Sequence, residues 1–136
     1  MATYVLGTDD VNASSSLCDY LSGRLTDADV VHAVNSLPGG DRTDSTDVRD
    51  GEDAVNVVRS RLGALTTVET HQFVRGNEPH EDLLAHAAAV DADELVVGVR
   101  KRSPAADVVF GSTTRAVLLH ADRPVVVVPL DDDSRM

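Results

Sequence analysis

The 136-residue chain is short of the residues that build disulfides, aromatic surfaces and basic surfaces. Cys18 is the single cysteine, which excludes a disulfide framework and a thiolate metal cluster. Tryptophan and isoleucine are absent and aromatic residues make up 3% of the chain, so base-stacking platforms and aromatic cages are disfavoured. Lysine occurs once, as Lys101.

Long apolar runs are also missing. No run approaches the roughly 20 residues that a membrane span needs, and the amino terminus lacks the basic segment of a signal peptide. The length and the hydrophobic content of 42% suit one globular domain of ordinary size. We expect a cytoplasmic protein with one domain over residues 1–130 and a short acidic tail at 131–136.

The charge balance is strongly acidic. Asp and Glu number 23 against 12 Lys and Arg, a net charge of -11, and most of the acids are Asp. Because such a field repels phosphate backbones, a nucleic-acid-binding function is disfavoured. An Asp-rich, lysine-poor composition is typical of a salt-adapted cytoplasm, where a short Debye length screens the repulsion. We predict a halophilic protein; an acidic protein from a GC-rich genome is the alternative.

Strand and helix patterns alternate along the chain. Apolar runs predict four strands, at Tyr4–Gly7, Val30–Val34, Glu94–Val99 and Val125–Val128, and an alternating pattern predicts a fifth at Thr66–Val74. Helical spacing predicts a helix after each of the first four strands, the second over Gly51–Leu62, with 36–50 as a surface loop. This order predicts an α/β fold with a single open parallel sheet and helices on both faces.

Ligands of such folds bind beyond the carboxyl ends of the strands, where the strand order reverses. Gly98 near the end of the fourth strand is followed by three consecutive cations, and Gly111 with Ser112 then opens a helix. A helix amino terminus offers free N–H groups and the positive end of the dipole, so these residues can form an anion site. The same glycine and hydroxyl residues are also ordinary helix caps, which leaves both interpretations open.

The spacing of this segment resembles the nucleotide loop of the universal stress protein family. The family pattern is Gly, two residues, Gly, nine residues, Gly, then Ser or Thr, and Gly98, Lys101, Gly111 and Ser112 keep that spacing. The His-Ala-Asp turn and the closing Pro-Val-Val-Val-Val-Pro are similar to the family as well. The sequence RKRSP after the first glycine resembles halophilic archaeal members.

The resemblance implies an adenine-nucleotide-binding-like sheet of strand order 3-2-1-4-5 and an ATP-responsive binding module of the stress response. By matched position, Asp9 would meet the adenosine end, Val34 would meet adenine through its backbone, and Gly98 would pass the ribose and phosphates. Gly111, Ser112 and Thr113 would hold phosphate oxygens. ATP with Mg²⁺ is the cofactor implied. The implied partner is a second copy, paired through Val125, Val126, Val127 and Val128.

Lys101 departs from the family pattern, which has its second glycine at this position. Lysine lacks the backbone freedom of glycine, yet it can serve as a point charge on a phosphate. Two alternatives therefore stay open. One is a nucleotide-free structural or stress-protective dimer whose basic loop binds another anion or a protein. The other is a weak ATPase, for which the sequence indicates no general base, so we predict no catalytic residue.

Two further groups of residues contain side chains that can bind metal ions. Asp9 and Asp10 resemble the acidic pair of response-regulator receivers, but the third strand ends in Arg75 and Gly76 without the aspartate that a receiver needs. The pair can still offer oxygen ligands to a metal that accompanies a nucleotide. The five histidines form no pair at ligand spacing, so we expect surface or packing roles and no metal site.

Overall fold

A computed structural model describes residues 1–101 and 108–130, and Arg102 and the predicted tail at 131–136 lie outside them. The strands are β1 (Thr3–Gly7), β2 (Val30–Leu37), β3 (Thr67–Val74), β4 (Glu94–Lys101), β5 (Val108–Val109) and β6 (Val125–Pro129). The helices are α1 (Val11–Ser22), α2 (Ser45–Leu62), α3 (Pro79–Ala89) and α4 (Ser112–His120), with a short 3-10 turn at Gly40–Arg42. None of the helices in these ranges combines the length and apolarity of a bilayer crossing.

Five parallel strands form the sheet in the order β3-β2-β1-β4-β6. Counted along the chain, the parallel strands have the order 3-2-1-4-5, which confirms the predicted fold class. The two-residue strand β5 pairs antiparallel with the end of β4, with Arg100 opposite Val109. The strand order reverses at β1, whose neighbours are β2 and β4.

Both faces of the sheet are covered, which explains the continuous apolar runs of its central strands. Leu6 of β1 packs with Leu17 of α1 and Val58 of α2 on one face. The preceding residue of β1, Val5, points to the opposite face and packs with Leu83 of α3. Alternation along one strand therefore supplies two separate cores.

The prediction of a surface loop over residues 36–50 is wrong at both ends of that range. β2 continues to Leu37, and α2 begins at Ser45, six residues before the predicted start. Asp44 caps α2 by accepting a hydrogen bond from the N–H of Asp47, whose carboxylate accepts the N–H of Asp44 in return. Asp and Ser are common in turns and are also good helix caps. The many Asp and Ser residues of this stretch therefore include the start of a helix as well as a loop.

Helix α2 lies unusually close to the sheet at Gly51. Asn35 of β2, 1% exposed, donates a hydrogen bond to the carbonyl of Thr8 at 3.0 Å and accepts one from Gln72 Nε2 at 3.0 Å. Gln72 also donates to the carbonyl of Val48 at 2.9 Å. A Cβ added to Gly51 would lie 2.0 Å from Asn35 Oδ1 and 2.7 Å from Gln72 Nε2, so only glycine fits beside this polar network.

We expect Gly51→Ala to destabilise the fold by about 1–3 kcal/mol, the usual range for overpacking. Helix propensity alone would have the opposite effect, because replacing glycine by alanine in an exposed helix raises the free energy of unfolding by roughly 1 kcal/mol. Urea denaturation followed by circular dichroism measures the difference. The matched control is Gly23→Ala, because Gly23 has negative φ and nothing within 4 Å of an added Cβ. A Gly51→Ala protein as stable as this control would contradict the expectation.

Candidate functional site

A crevice of about 380 Å³ opens at the carboxyl ends of β1 and β4. Its volume falls in the range of about 300–1,000 Å³ that small-molecule sites occupy. The chain leaves β1 toward the face of α1 and α2, whereas β4 leads to the face of α3 and α4. Six of the predicted site residues line this crevice: Asp9, Val34, Gly98, Gly111, Ser112 and Thr113.

The seventh predicted site residue, Lys101, has its backbone in β4 opposite Val108, and not in an open loop as predicted. The position of its side chain lies outside what the structure describes. The predicted role of Lys101 as a point charge on a phosphate therefore stays a prediction.

The amino terminus of α4 forms one wall of the crevice. Within the described residues no side chain caps this nine-residue helix, whereas Asp10 caps α1 by accepting the N–H of Ala13 at 2.7 Å. The hydroxyl of Thr114 donates to the carbonyl of Gly98 at 2.8 Å and so ties α4 to β4. The first turn of α4 therefore brings backbone N–H groups and the positive helix end to the crevice, a favourable setting for an anion.

Gly98 has a packing role in addition to its place in the crevice. A Cβ added there would lie 2.6 Å from both terminal methyl carbons of Leu130, which also lines the crevice. Leu130 is held in place by its N–H, which donates to the carbonyl of Val99 at 2.8 Å. The glycine that the sequence pattern singled out is thus needed for the close approach of the residue after β6.

The far end of the crevice offers a backbone carbonyl and a carboxylate. The carbonyl of Val34 accepts a hydrogen bond from the N–H of Thr8 at 3.0 Å, and its second lone pair can take another donor. Burial and the neighbouring charge of Asp10 raise the pKa of Asp9, and Arg100 partly opposes this rise. Both groups are acceptors, which suits the hydroxyl and amino groups of a nucleoside.

Arg100 is already paired. Its Nη2 donates to Asp10 Oδ2 at 3.0 Å, while Asp10 Oδ1 caps α1, so both oxygens of Asp10 have partners. Asp9 and Asp10, the pair that could offer oxygen ligands to a metal accompanying a nucleotide, therefore do not present two free carboxylates. The ion pair is roughly half exposed, and such pairs contribute only about 0.2–1 kcal/mol. An incoming anion can compete for the guanidinium at a small cost in free energy.

A buried carboxylate fixes the wall that α3 forms. Asp82 is fully buried and accepts hydrogen bonds from Ser36 at 2.6 Å, Asn77 at 2.9 Å and Arg75 at 2.9 Å. Burial alone would raise the pKa of Asp82, but these hydrogen bonds hold it below its usual value. The network joins α3 to the ends of β2 and β3, beside the crevice-lining Leu83.

Two features of the site region escaped the sequence analysis. Thr8, Ser36 and Thr114 line the crevice, and only their positions just after β1, near the carboxyl end of β2 and in the first turn of α4 could have indicated them. Three of the histidines, for which surface or packing roles were predicted, lie in contact with one another between α3 and the sheet. No spacing along the sequence signals this meeting, because the three come from different elements.

Comparison with known proteins identifies the family. A profile of the universal stress protein family matches residues 9–129. A universal stress protein of Mycolicibacterium smegmatis is 32% identical over 96 residues, which cover 70% of this chain and 72% of that protein. The chain belongs to the universal stress protein family.

Solved structures from Archaeoglobus fulgidus share the fold over nearly the whole chain. A universal stress protein from this organism is 32% identical with a TM-score of 0.74, over 94% of this chain and 98% of that one. A universal stress protein in complex with dAMP is 28% identical with a TM-score of 0.67, at the same two coverages.

Proposed function

We propose that this protein is a cytoplasmic binding module of the stress response that responds to adenine nucleotide, with ATP as its ligand. The observation that carries the proposal is the start of α4, which no described side chain caps and which faces the crevice together with Gly98 and Asp9. The dAMP complex of the Archaeoglobus fulgidus relative supports the choice of an adenine nucleotide. Family membership supports the stress role.

In the proposed complex the phosphates lie at Gly111, Ser112 and Thr113, where amides and hydroxyls can donate to them. The adenosine end lies between Val34 and Asp9. Arg100 exchanges Asp10 for a phosphate oxygen, so nucleotide binding changes the contacts of Arg100 in β4 and of Asp10 at the start of α1. The surface around these two residues then differs for a protein partner. The proposed mechanism is conformational and needs no bond cleavage.

Ser112→Glu tests the phosphate contact. A carboxylate in the first turn of α4 favours the helix but repels a phosphate, so we expect the affinity for ATP to fall about tenfold or more. Calorimetric titration of ATP with Mg²⁺ measures the effect. The matched control is Ser45→Glu, the same change at the exposed start of α2, on the other face of the sheet, which should bind ATP like the parent protein.

Three results, from this titration, from thermal melting with ATP and from an assay of ADP release, would contradict the proposal. A parent protein that neither binds ATP nor gains thermal stability from it favours the nucleotide-free dimer. Equal ATP binding by Ser112→Glu and the parent places the nucleotide elsewhere. Steady release of ADP that Ser112→Glu abolishes favours a weak ATPase.

We also propose that two copies associate through the outer edge of β6. Leu95 donates to the carbonyl of Pro124 and Leu130 donates to that of Val99, so the even-numbered residues of this strand bond to β4. Val125 and Val127 therefore turn their N–H groups to the outer edge, where no described strand pairs with them. An apolar strand with an open edge is a template for pairing, and a two-fold partner satisfies it.

We expect Val127→Pro to convert the dimer to a monomer. Proline removes the outward N–H and leaves the bonds of β6 to β4 intact, as edge strands tolerate. Light scattering after size-exclusion chromatography gives the mass in solution. Val127→Ala keeps the N–H and should stay dimeric. A parent protein that is monomeric, or a dimer unaffected by the proline, would rule out this interface.

Finally, we propose that the chain is a halophilic archaeal type of the family. The supporting observation is the net charge of -11 with a single lysine. Self-repulsion should be strong at about 0.1 M salt, where the Debye length is about 10 Å, and largely screened at about 1 M, where it is about 3 Å. We expect the melting temperature to rise steeply between these concentrations of KCl, as differential scanning fluorimetry would measure. Equal melting temperatures would contradict salt adaptation.

A further inference from the structure

Three histidines converge on the α3 face of the sheet. His32 lies in β2, His71 in the neighbouring β3, and His86 in the last turn of α3. His32 Nδ1 is 3.1 Å from His71 Nε2 and 3.3 Å from His86 Nε2. One nitrogen from each of the three rings lies within 4.8 Å of the other two.

Strand register and helix packing bring these side chains together. Glu69 pairs with His32 and His71 pairs with Val34, so His32 and His71 are diagonal neighbours on one face of the sheet. His86 lies directly before the buried Ala87 of α3, whose packing holds this part of the helix on that face. The arrangement is therefore fixed by regular elements and not by a loop.

Hydrogen bonding among the rings does not account for the geometry. Each imidazole nitrogen carries either one proton or one in-plane lone pair. His32 Nδ1 is approached by both His71 Nε2 and His86 Nε2, so it cannot form a good hydrogen bond to each of them. A cation placed between the rings would accept a lone pair from all three nitrogens at once.

We propose that His32, His71 and His86 form a binding site for a first-row divalent metal ion, with zinc as its best fit. Zinc bonds imidazole nitrogen at about 2.0–2.1 Å, which places two ligands of a tetrahedral ion about 3.3 Å apart. The separations of 3.1 and 3.3 Å agree with that geometry. Three protein ligands leave the fourth position to water or an exchangeable anion.

The surroundings suit a metal ion held by neutral imidazoles. His32 is 6% exposed, and the other two rings are partly exposed, which leaves a path for the ion. Burial, followed by the charges of His71 and His32, lowers the pKa of His86 to about 4. Glu69 adds a nearby negative charge. The cation Arg75 is paired with Asp82 at 2.9 Å.

The site is separate from the proposed nucleotide crevice. None of the three histidines is among the described residues that line the crevice, and the part of α3 that lines it, Pro79 and Leu83, precedes His86 along the helix. A bound ion would join the edge strand β3 to β2 and α3. Because the ion binds only the folded chain, it should raise the melting temperature.

Metal titration of the tag-free, chelator-treated full chain, without nucleotide, tests the proposal. We expect one Zn²⁺ per chain by calorimetry and a four-coordinate absorption spectrum with Co²⁺. His86→Gln should weaken zinc affinity about tenfold or more and remove the stabilisation by zinc. The matched control is His80→Gln, at the opposite end of the same helix and stacked on His120 with ring centroids 6.0 Å apart, which should bind zinc like the parent.

A folded parent chain that binds no zinc at saturating metal would overturn the proposal and leave the cluster as packing alone. Wild-type affinity in His86→Gln would overturn it too, as would an equal loss in His80→Gln. Circular dichroism establishes that each variant is folded. His71→Gln, in the edge strand β3, provides a second variant if His86→Gln does not fold.

Discussion

The reversal of strand order at β1 is the constraint on which the rest of the molecule depends. β1 lies between β2 and β4, and the chain leaves β1 and β4 toward opposite faces of the sheet. No single connecting segment therefore covers the carboxyl ends of both strands, and a crevice forms between them. Asp9 lines it because it follows β1, and Gly98 lines it from the carboxyl-terminal half of β4. The start of α4 returns to the same edge and completes it.

The walls of the crevice are held by buried polar networks, in contrast to the apolar cores of the two layers. Asn35 joins the end of β1 to Gln72 of β3, which in turn bonds to α2, and Asp82 joins α3 to the ends of β2 and β3. These hydrogen bonds are directional, so they set the positions of the surrounding elements more narrowly than apolar packing alone does. Such a rigid frame can hold a ligand without first being ordered by it. The apolar layers supply the stability, and the polar networks set the shape.

Much of the fold could be predicted from the sequence because its central strands are buried on both faces and appear as largely apolar runs, whereas the edge strand β3 shows an alternating pattern. The spacing of Gly98, Gly111 and Ser112 predicted part of the crevice because these residues lie in one short stretch of the sequence. Long-range contacts could not be predicted in this way. Arg100 pairs with Asp10, 90 residues away. The histidines that meet at His32 are 39 and 54 residues distant, so no local spacing reveals them.

Nucleotide binding at the crevice beside the strand reversal can be seen in a crystal structure of the chain with a non-hydrolysable ATP analogue and Mg²⁺. We expect phosphate oxygens on the amides of Ser112 and Thr113, the base beside Val34, and Arg100 turned from Asp10 to a phosphate. A nucleotide bound elsewhere on the chain, or one whose phosphates do not reach the start of α4, would contradict this expectation.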